Sequence, residues 1–286
     1  MTPSLPAAGA AVRAQRIFRS ACAAALGATC LVLSAPAVAA ARDIHANGPI
    51  EPVSETAAIE EGRALVQELL ALWPGENSVQ NGVLRIWDGR KPRAVVPVRC
   101  SIIVTPTHWT SVYETVGGAS DADTPAPRQR LAVTHRSQAP NTYELERRDA
   151  ACVQRRTPVG EELMQPFADS DFWLADLGLE FLHWPEQKVL RREMKRGRSC
   201  VVLESRRPGP ATQGYVRVVS WIDRESGGIV QAEAFDTRDR KLKEFAPKSF
   251  KKINGQWQLQ EMEIRNVQTG SRTRLEFTLE ASGAGS

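Results

Sequence analysis

The residues that could do chemistry are few and poorly spaced for it. The sequence holds four scattered His (His45, His108, His135 and His183) and five Cys, of which Cys100, Cys152 and Cys200 lie far apart, with no CxxC. A zinc site needs close ligand pairs, and an activated nucleophile needs a base and a positioning turn. HExxH, GxSxG and the P-loop are all missing. Two local pairings remain. Asp169 and Asp171, in FADSDFWLADLG, could present carboxylates to a metal, or serve as N-cap and first-turn acid of a short helix. His108-Trp109 and His183-Trp184 could be matched ligands, or packing and surface groups in strands and loops. In each case the packing role is the expectation. No catalytic residue, metal ligand or cofactor is assigned, and enzyme activity is not expected.

The chain's resource is apolar density instead. Asp171–Trp184 reads DFWLADLGLEFLHW, crowding Phe172, Trp173, Leu174, Leu177, Leu179, Phe181, Leu182 and Trp184 into one short span. A surface helix shows one apolar stripe, whereas this segment is apolar on more than one side, with Gly178 as a candidate hinge. It reads as a buried crossover or as a lid over an apolar cavity, and a closed lid is itself buried. Directly after it, KVLRREMKRGR carries Lys188, Arg191, Arg192, Lys195, Arg196 and Arg198 against a single acid. That run is a solvated hairpin turn, or a contact for anionic headgroups or an acidic partner. The hairpin Val219–Phe245 places Trp221 and Phe235 on one face of a sheet with no catalytic group beside them. These two are expected in the wall of a hollow, with Phe172, Trp173, Leu177 and Phe181 on the underside of its lid. Val216, Val218 and Ile222, with Val230, Ala232 and Ala234, form the apolar set of the opposite sheet face.

Periodicity and turn chemistry supply the elements that position these groups. Thr56–Trp73 spaces Ile59, Leu65, Leu69, Leu70 and Leu72 as an amphipathic helix, stopped by Pro74-Gly75. Strands are predicted over Asn81–Trp87, Arg99–Val104, Trp109–Val116, Leu131–His135, Asn141–Arg147 and Cys200–Glu204. They continue over Tyr215–Asp223, Gly228–Asp236, Leu242–Phe245, Phe250–Ile253, Trp257–Val267 and Thr273–Glu280, with TPTH, ESGG, TRDR, INGQ and QTGSR as turns. Ser120–Arg128 is a Pro-rich loop. Short strands joined by tight turns, without GxGxxG or strand–helix alternation, indicate an antiparallel sheet. A long sheet of this kind curls, and the helix and Phe167–Trp184 are the available covers for its inner face.

The N-terminus has the texture of an export signal. Met1–Ser20 carries Arg13, Arg16 and Arg19 and no acid, Ala21–Val38 is Ala-rich and apolar, and APAVAAAR supplies small residues for cleavage near Ala40 or Ala41. A membrane anchor is the alternative, disfavoured by Pro36 and the small residues that follow it. Cys30 follows Gly27-Ala28-Thr29, which does not suit acylation, so a soluble product is expected. The organisation is then a signal over 1–41, a loose lead-in over 42–55, one domain over 56–280 and a tail over 281–286. Cleavage changes 37 basic and 33 acidic residues to 34 and 33, a balance that argues against nucleic acid as partner. Cys100, Cys152 and Cys200 remain; buried small hydrophobes are expected, a single disulfide with one free thiol being the alternative.

The order of DFWLADLGLEF, SCVVLESRRP, GYVRVVSWIDRESGGIVQAEAFDTRDRKLKEF and KKINGQWQLQEMEIRNVQTGSRTRLEF resembles the outer-membrane lipoprotein-sorting family, the LolA-like periplasmic carriers. The match covers Phe167–Phe277, with SWID, AEAFD, GQW and TGSRT as its most telling pieces, and extends more loosely to Ala57–Val116. The resemblance implies a mainly β fold: a strongly curved, half-open antiparallel β-barrel with helices plugging its mouth. It implies a periplasmic carrier that takes acyl chains of lipoproteins or lipids into the hollow for sorting to the outer membrane. An inner-membrane release complex and an outer-membrane acceptor are the partners implied. This chain departs from the better-known carriers in its Ser120–Arg128 loop and its dense basic run, and their lid-latching arginine has no matched position here. A lipid- or lipoprotein-sensing regulator or scaffold on the same fold is the second expectation, less favoured because the chain ends soon after the last strand. A secreted hydrolase is the third, and no motif supplies it.

Overall fold

The computed structural model describes residues 54–117, 128–137, 139–149, 152–207, 209–253 and 256–279. The expected signal, nearly all of the lead-in, most of the Ser120–Arg128 loop and the tail lie outside the described residues.

The first half of the sheet comprises β1 (Ser78–Asp88), β2 (Lys91–Val104), β3 (Trp109–Thr115), β4 (Arg128–Arg136), β5 (Ala139–Arg148) and β6 (Val153–Arg156). The second comprises β7 (Glu186–Lys195), β8 (Arg198–Arg206), β9 (Tyr215–Asp223), β10 (Ile229–Asp236), β11 (Lys241–Ile253), β12 (Gln256–Asn266) and β13 (Arg272–Phe277). Each half is a meander of antiparallel neighbours, and they join where β1 pairs with β13, Leu84 opposite Leu275 and Ile86 opposite Thr273. Among the described residues all 13 strands form one sheet with β6 and β7 at its two edges, and that sheet is not closed. Alternation selects its inner face: Thr273, Leu275 and Phe277 on β13, and Asn141, Tyr143 and Leu145 on β5, are buried while their neighbours are not.

The sheet is wrapped rather than flat. A 3₁₀ turn at Glu180–His183 packs against both β5 and β8. In a flat sheet those strands would stand roughly 48 Å apart, ten spacings of about 4.8 Å. One short turn touches both only if the sheet curls around it.

The helix α1 (Glu55–Leu70) starts at Ser54, whose Oγ accepts from the Ala57 N–H at 3.2 Å. Its buried line is Ala58, Gly62 and Val66, laid along β7. A Cβ at Gly62 would come within 2.7 Å of the Lys188 backbone nitrogen, so glycine is required by proximity. The predicted leucine stripe is only partly buried; Leu65, Leu69 and Leu70 pack at the edge of the core. The helix thereby covers an edge strand that would otherwise offer unpaired backbone groups.

Three strand expectations change. Most of the basic run is β7 itself, and the turn is only Arg196-Gly197, both with left-handed φ. The predicted Leu242–Phe245 and Phe250–Ile253 are one strand, β11, interrupted by a bulge around Pro247–Ser249, where proline cannot donate to the ladder. The short, fully exposed β6 lacks any alternating signal.

A crossover through the hollow

The chain between the two edge strands, residues 157–185, must pass from one rim of the sheet to the other, and it passes through the interior. It is mostly irregular: a single turn α2 (Leu174–Leu177), the 3₁₀ turn at Glu180–His183, another at Gly160–Leu163, and an isolated bridge between Pro166 and Trp173. Phe172, Leu177 and Phe181 are buried in the main core. Trp173 is half-buried and stacks on Tyr215 with ring centroids 5.8 Å apart.

Irregular backbone inside a core leaves polar groups with no ladder to join. The sheet's inner face supplies the partners. Tyr113 OH on β3 donates to the Leu177 carbonyl (3.2 Å), and Asn141 Nδ2 on β5 to that of Gly178 (2.7 Å). On β7, Gln187 Nε2 donates to the carbonyls of Phe181 and Trp184. On β11, Lys243 Nζ donates to that of Asp171 (2.8 Å).

Lys243 also forms the one ion pair deep in the hollow among the described residues: Nζ lies 2.7 Å from Asp176 Oδ2. Asp176 accepts as well from the Trp173 N–H and from Tyr215 OH, each at 2.8 Å. The Trp173 ring covers the ammonium, 3.5 Å from Nζ to centroid. Desolvation pulls Lys243 down to about 8, with Asp176 opposing the shift. This corrects the capping expectation. Asp176, not Asp169 or Asp171, caps the short helix, while Asp171 ties the crossover to β13 by accepting from Ser271 OH (2.5 Å) and Thr273 OH (2.8 Å). Among the described residues no three His, Cys, Asp or Glu side chains converge as metal ligands would.

Gly178 is not the strained position of the crossover. Its φ is ordinary, and it is glycine because a Cβ would lie 2.1 Å from Tyr143 Oη. Leu179, beside it, takes the left-handed conformation (φ 50°), as do Ala168 and Asp169 upstream. Each costs a non-glycine residue on the order of 1 kcal/mol.

The wall of the hollow is the face opposite to the one expected. Val218 opposite Ala234, and Ser220 opposite Ala232, point inward. Trp221 and Phe235 stand on the outer face, where Trp221 packs with Cys200, Val202 and Val219 and Phe235 leans on that cluster. Trp221 Nε1 donates to Glu193, Lys195 lies over its ring, and the Arg217 guanidinium covers Phe235 at 3.7 Å. The physical reason is volume: the crossover's Phe and Leu side chains occupy the inside, so small residues face them, and the large aromatics sit outside under basic side chains.

Little space remains inside. A cleft of about 30 Å³ lies between Phe181 and Leu179 of the crossover and Val218, Ala232, Ala234 and Phe245 of the wall. A second, of about 70 Å³, lies at the end of the crossover beneath the last turn of α1, and Leu179 and Ile229 line both. Each of these two clefts is far smaller than an acyl chain needs.

In the second cleft Trp109 stacks on His135 at 3.8 Å, and Ser111 Oγ lies 3.1 Å from His135 Nε2. Burial, with the neighbouring His183 adding to it, lowers His135 to about 3; burial lowers His183 to about 4. Of the His-Trp pairs singled out by adjacency, only Trp109 and His183 meet here, brought together by His135 from β4. Cys100 and Cys200 are buried free thiols, as expected of small hydrophobes, and Cys152 is exposed and free. Every residue of the basic run has an internal partner. Lys188 pairs with Glu55, Arg191 with Glu193, Arg192 with Glu61 and Arg198 with Asp223 and Glu225. Lys195 covers Trp221, and Arg196 donates to the Pro247 carbonyl.

No curated protein matches the chain in sequence. A family model described as "-like: Uncharacterized protein" matches residues 152–280. Among solved structures, the chain is similar to a domain from Vibrio parahaemolyticus assigned to the outer membrane lipoprotein-sorting proteins (TM-score 0.63, 18% identity, 80% of this chain and 95% of that one). It is similar to a DUF1329 family protein from Desulfovibrio piger (TM-score 0.62, 17% identity, 80% and 95%). A LolA superfamily protein, NE2245, from Nitrosomonas europaea is a third neighbour (TM-score 0.50, 16% identity, 80% and 93%). The resemblance read from the sequence is thus met at the level of fold: this is a LolA-like open sheet.

Proposed function

We propose that this chain, built on a LolA-like fold, is a periplasmic carrier that takes acyl chains of lipoproteins or lipids into the hollow now filled by residues 157–185. One observation carries the reading: the apolar interior of an open sheet is occupied by an irregular piece of the chain itself, held by side-chain bonds rather than by a ladder. Such a plug and an acyl chain compete for the same surface. Each methylene buried is worth about 0.8 kcal/mol, so acyl chains offset part of the apolar burial that the plug gives up. The left-handed residues at Ala168, Asp169 and Leu179 favour its release. Closure after delivery restores the Lys243–Asp176 pair and expels the cargo, and no bond is made or broken. Among the described residues no helix is long and apolar enough to cross a membrane. The basic run on β7 supplies the headgroup or partner contact, its exposed ion pairs being weak enough to exchange.

Native mass spectrometry of protein purified from its own periplasm tests this directly. Bound acyl species, released by denaturation, are expected; protein that emerges without cargo and also fails to displace a fluorescent acyl probe would refute carriage.

A further inference from the structure

The two clefts beside the crossover differ in chemistry, and the difference defines the polar end of the cargo. The smaller is lined by apolar side chains apart from the self-satisfied Lys243–Asp176 pair. The larger contains Ser111, His135, Asn141 and His183 among leucines. Asn141 is 92% buried, and its Nδ2 is spent on the Gly178 carbonyl at 2.7 Å, which fixes which way the amide faces. Its Oδ1 has no hydrogen-bond partner. His135 lies near enough for Asn141 to act on its imidazole as an acceptor, opposing the downward pull of burial, but no hydrogen bond of normal geometry reaches that oxygen. A buried acceptor without a donor is costly, and in a lined cleft it marks where a ligand's donor belongs.

We propose that this cleft receives the polar junction of the acylated cargo, and that the group it selects is a neutral O–H or N–H donor. The inference rests on the acyl-carrier reading and deepens it. The four polar side chains carry no carboxylate, and both imidazoles are neutral, each offering one donor and one acceptor nitrogen. An anionic head would meet the Asn141 carbonyl oxygen and find no buried cation among them; Arg136, at the exposed rim, is the cleft's one cation. A hydroxyl or amide satisfies Oδ1 and can accept from an imidazole in return. Because Ile229 lines both clefts, a head seated on Asn141 directs its chain, once Leu179 and Phe181 are displaced, along the sheet wall toward Ala232 and Phe245. Two sources share this chemistry: the free hydroxyl of a glyceride, and the amide N–H of an N-acylated peptide.

The test uses the full-length mature protein and four probes of equal chain length, competed against a bound fluorescent acyl probe: monolauroylglycerol, N-lauroylglycinamide, methyl laurate and laurate. The glyceride, the amide or both are expected to bind about tenfold tighter than the ester, the worth of one buried hydrogen bond; which of the two wins identifies the source. In Asn141→Leu the preference among the four probes should vanish, all four binding alike and more tightly as the plug is loosened. That variant also removes the bond to Gly178, so if it does not fold, the probe series on unaltered protein carries the test alone. Equal affinity for donor probes and ester would overturn the inference, leaving a water on Oδ1 and the carrier reading intact. Preference for laurate would overturn it in favour of Arg136. Failure of all four to bind would bring down the carrier reading with it.

Discussion

Replacing Lys243 by Met separates the latch from the rest of the plug. Lys243 is 2% exposed, and its ammonium bonds Asp176, the Asp171 carbonyl and the Trp173 ring. Met preserves the stem but leaves the Asp176 carboxylate buried with only the Trp173 N–H and Tyr215 OH as donors. Breaking one side of a buried pair costs about 3–5 kcal/mol, which in a domain of this size lowers Tm by about 10 °C. Asp176→Asn should cost less. Lys243, already drawn down to about 8 with the carboxylate present, sheds its proton once that support is gone and is not left as a buried charge. The double variant should cost less than the two singles together, because neither charge remains. The pH dependence has a definite sign. Between about 8 and the unfolded value of 10.5 the unfolded chain holds a proton that the folded chain has lost, so wild-type stability gains from this group as pH rises through that window. Lys243→Met should lack that gain. Urea titrations at neutral and alkaline pH measure stability, and acyl-probe titration measures function: each 1.4 kcal/mol of closure lost should tighten acyl binding about tenfold. Wild-type stability in Lys243→Met, or strictly additive singles, would refute the latch.

Phe235→Glu should fold and bind acyl probe like wild type, because the new carboxylate meets Arg217 on the outer face, whereas Ala234→Leu should fill the inner cleft, cost about 1–3 kcal/mol by overpacking and weaken binding. Circular dichroism and probe titration compare the two. His135 and His183 stay neutral when folded, so their stabilisation is complete above the unfolded value of 6.5 and is lost as pH falls toward about 4 for His183 and 3 for His135. His183→Gln should therefore lose less stability than wild type between pH 7 and 4.5, measured by urea midpoints. Exchanging Lys188, Arg191, Arg192, Lys195, Arg196 and Arg198 for Ser should weaken binding to anionic vesicles, most at low salt; unchanged vesicle sedimentation would reduce the run to a paired strand surface.

Much of the fold was legible in the chain because strand and helix periodicity are local. The alternation in Arg272–Phe277 and Asn141–Leu145, and the turn residues between strands, report the antiparallel sheet without reference to anything distant. The apolar excess of Asp171–Trp184 likewise reports that this segment is buried from several sides. What alternation cannot state is which of two faces is inside. Trp221 with Phe235, and Val218 with Ala234, are equally consistent apolar rows, and only the crossover's volume decides that the small row faces in. The latch and the polar cleft were invisible for a related reason. Lys243 sits in KLKEF like any edge lysine, and Asn141 and His135 like any strand polar groups. Their roles depend on carbonyls and rings brought from more than thirty residues away, Gly178 to Asn141 and Asp176 to Lys243 among them. A polar side chain declares itself only when burial removes the water that would otherwise satisfy it, and burial is decided by the tertiary structure.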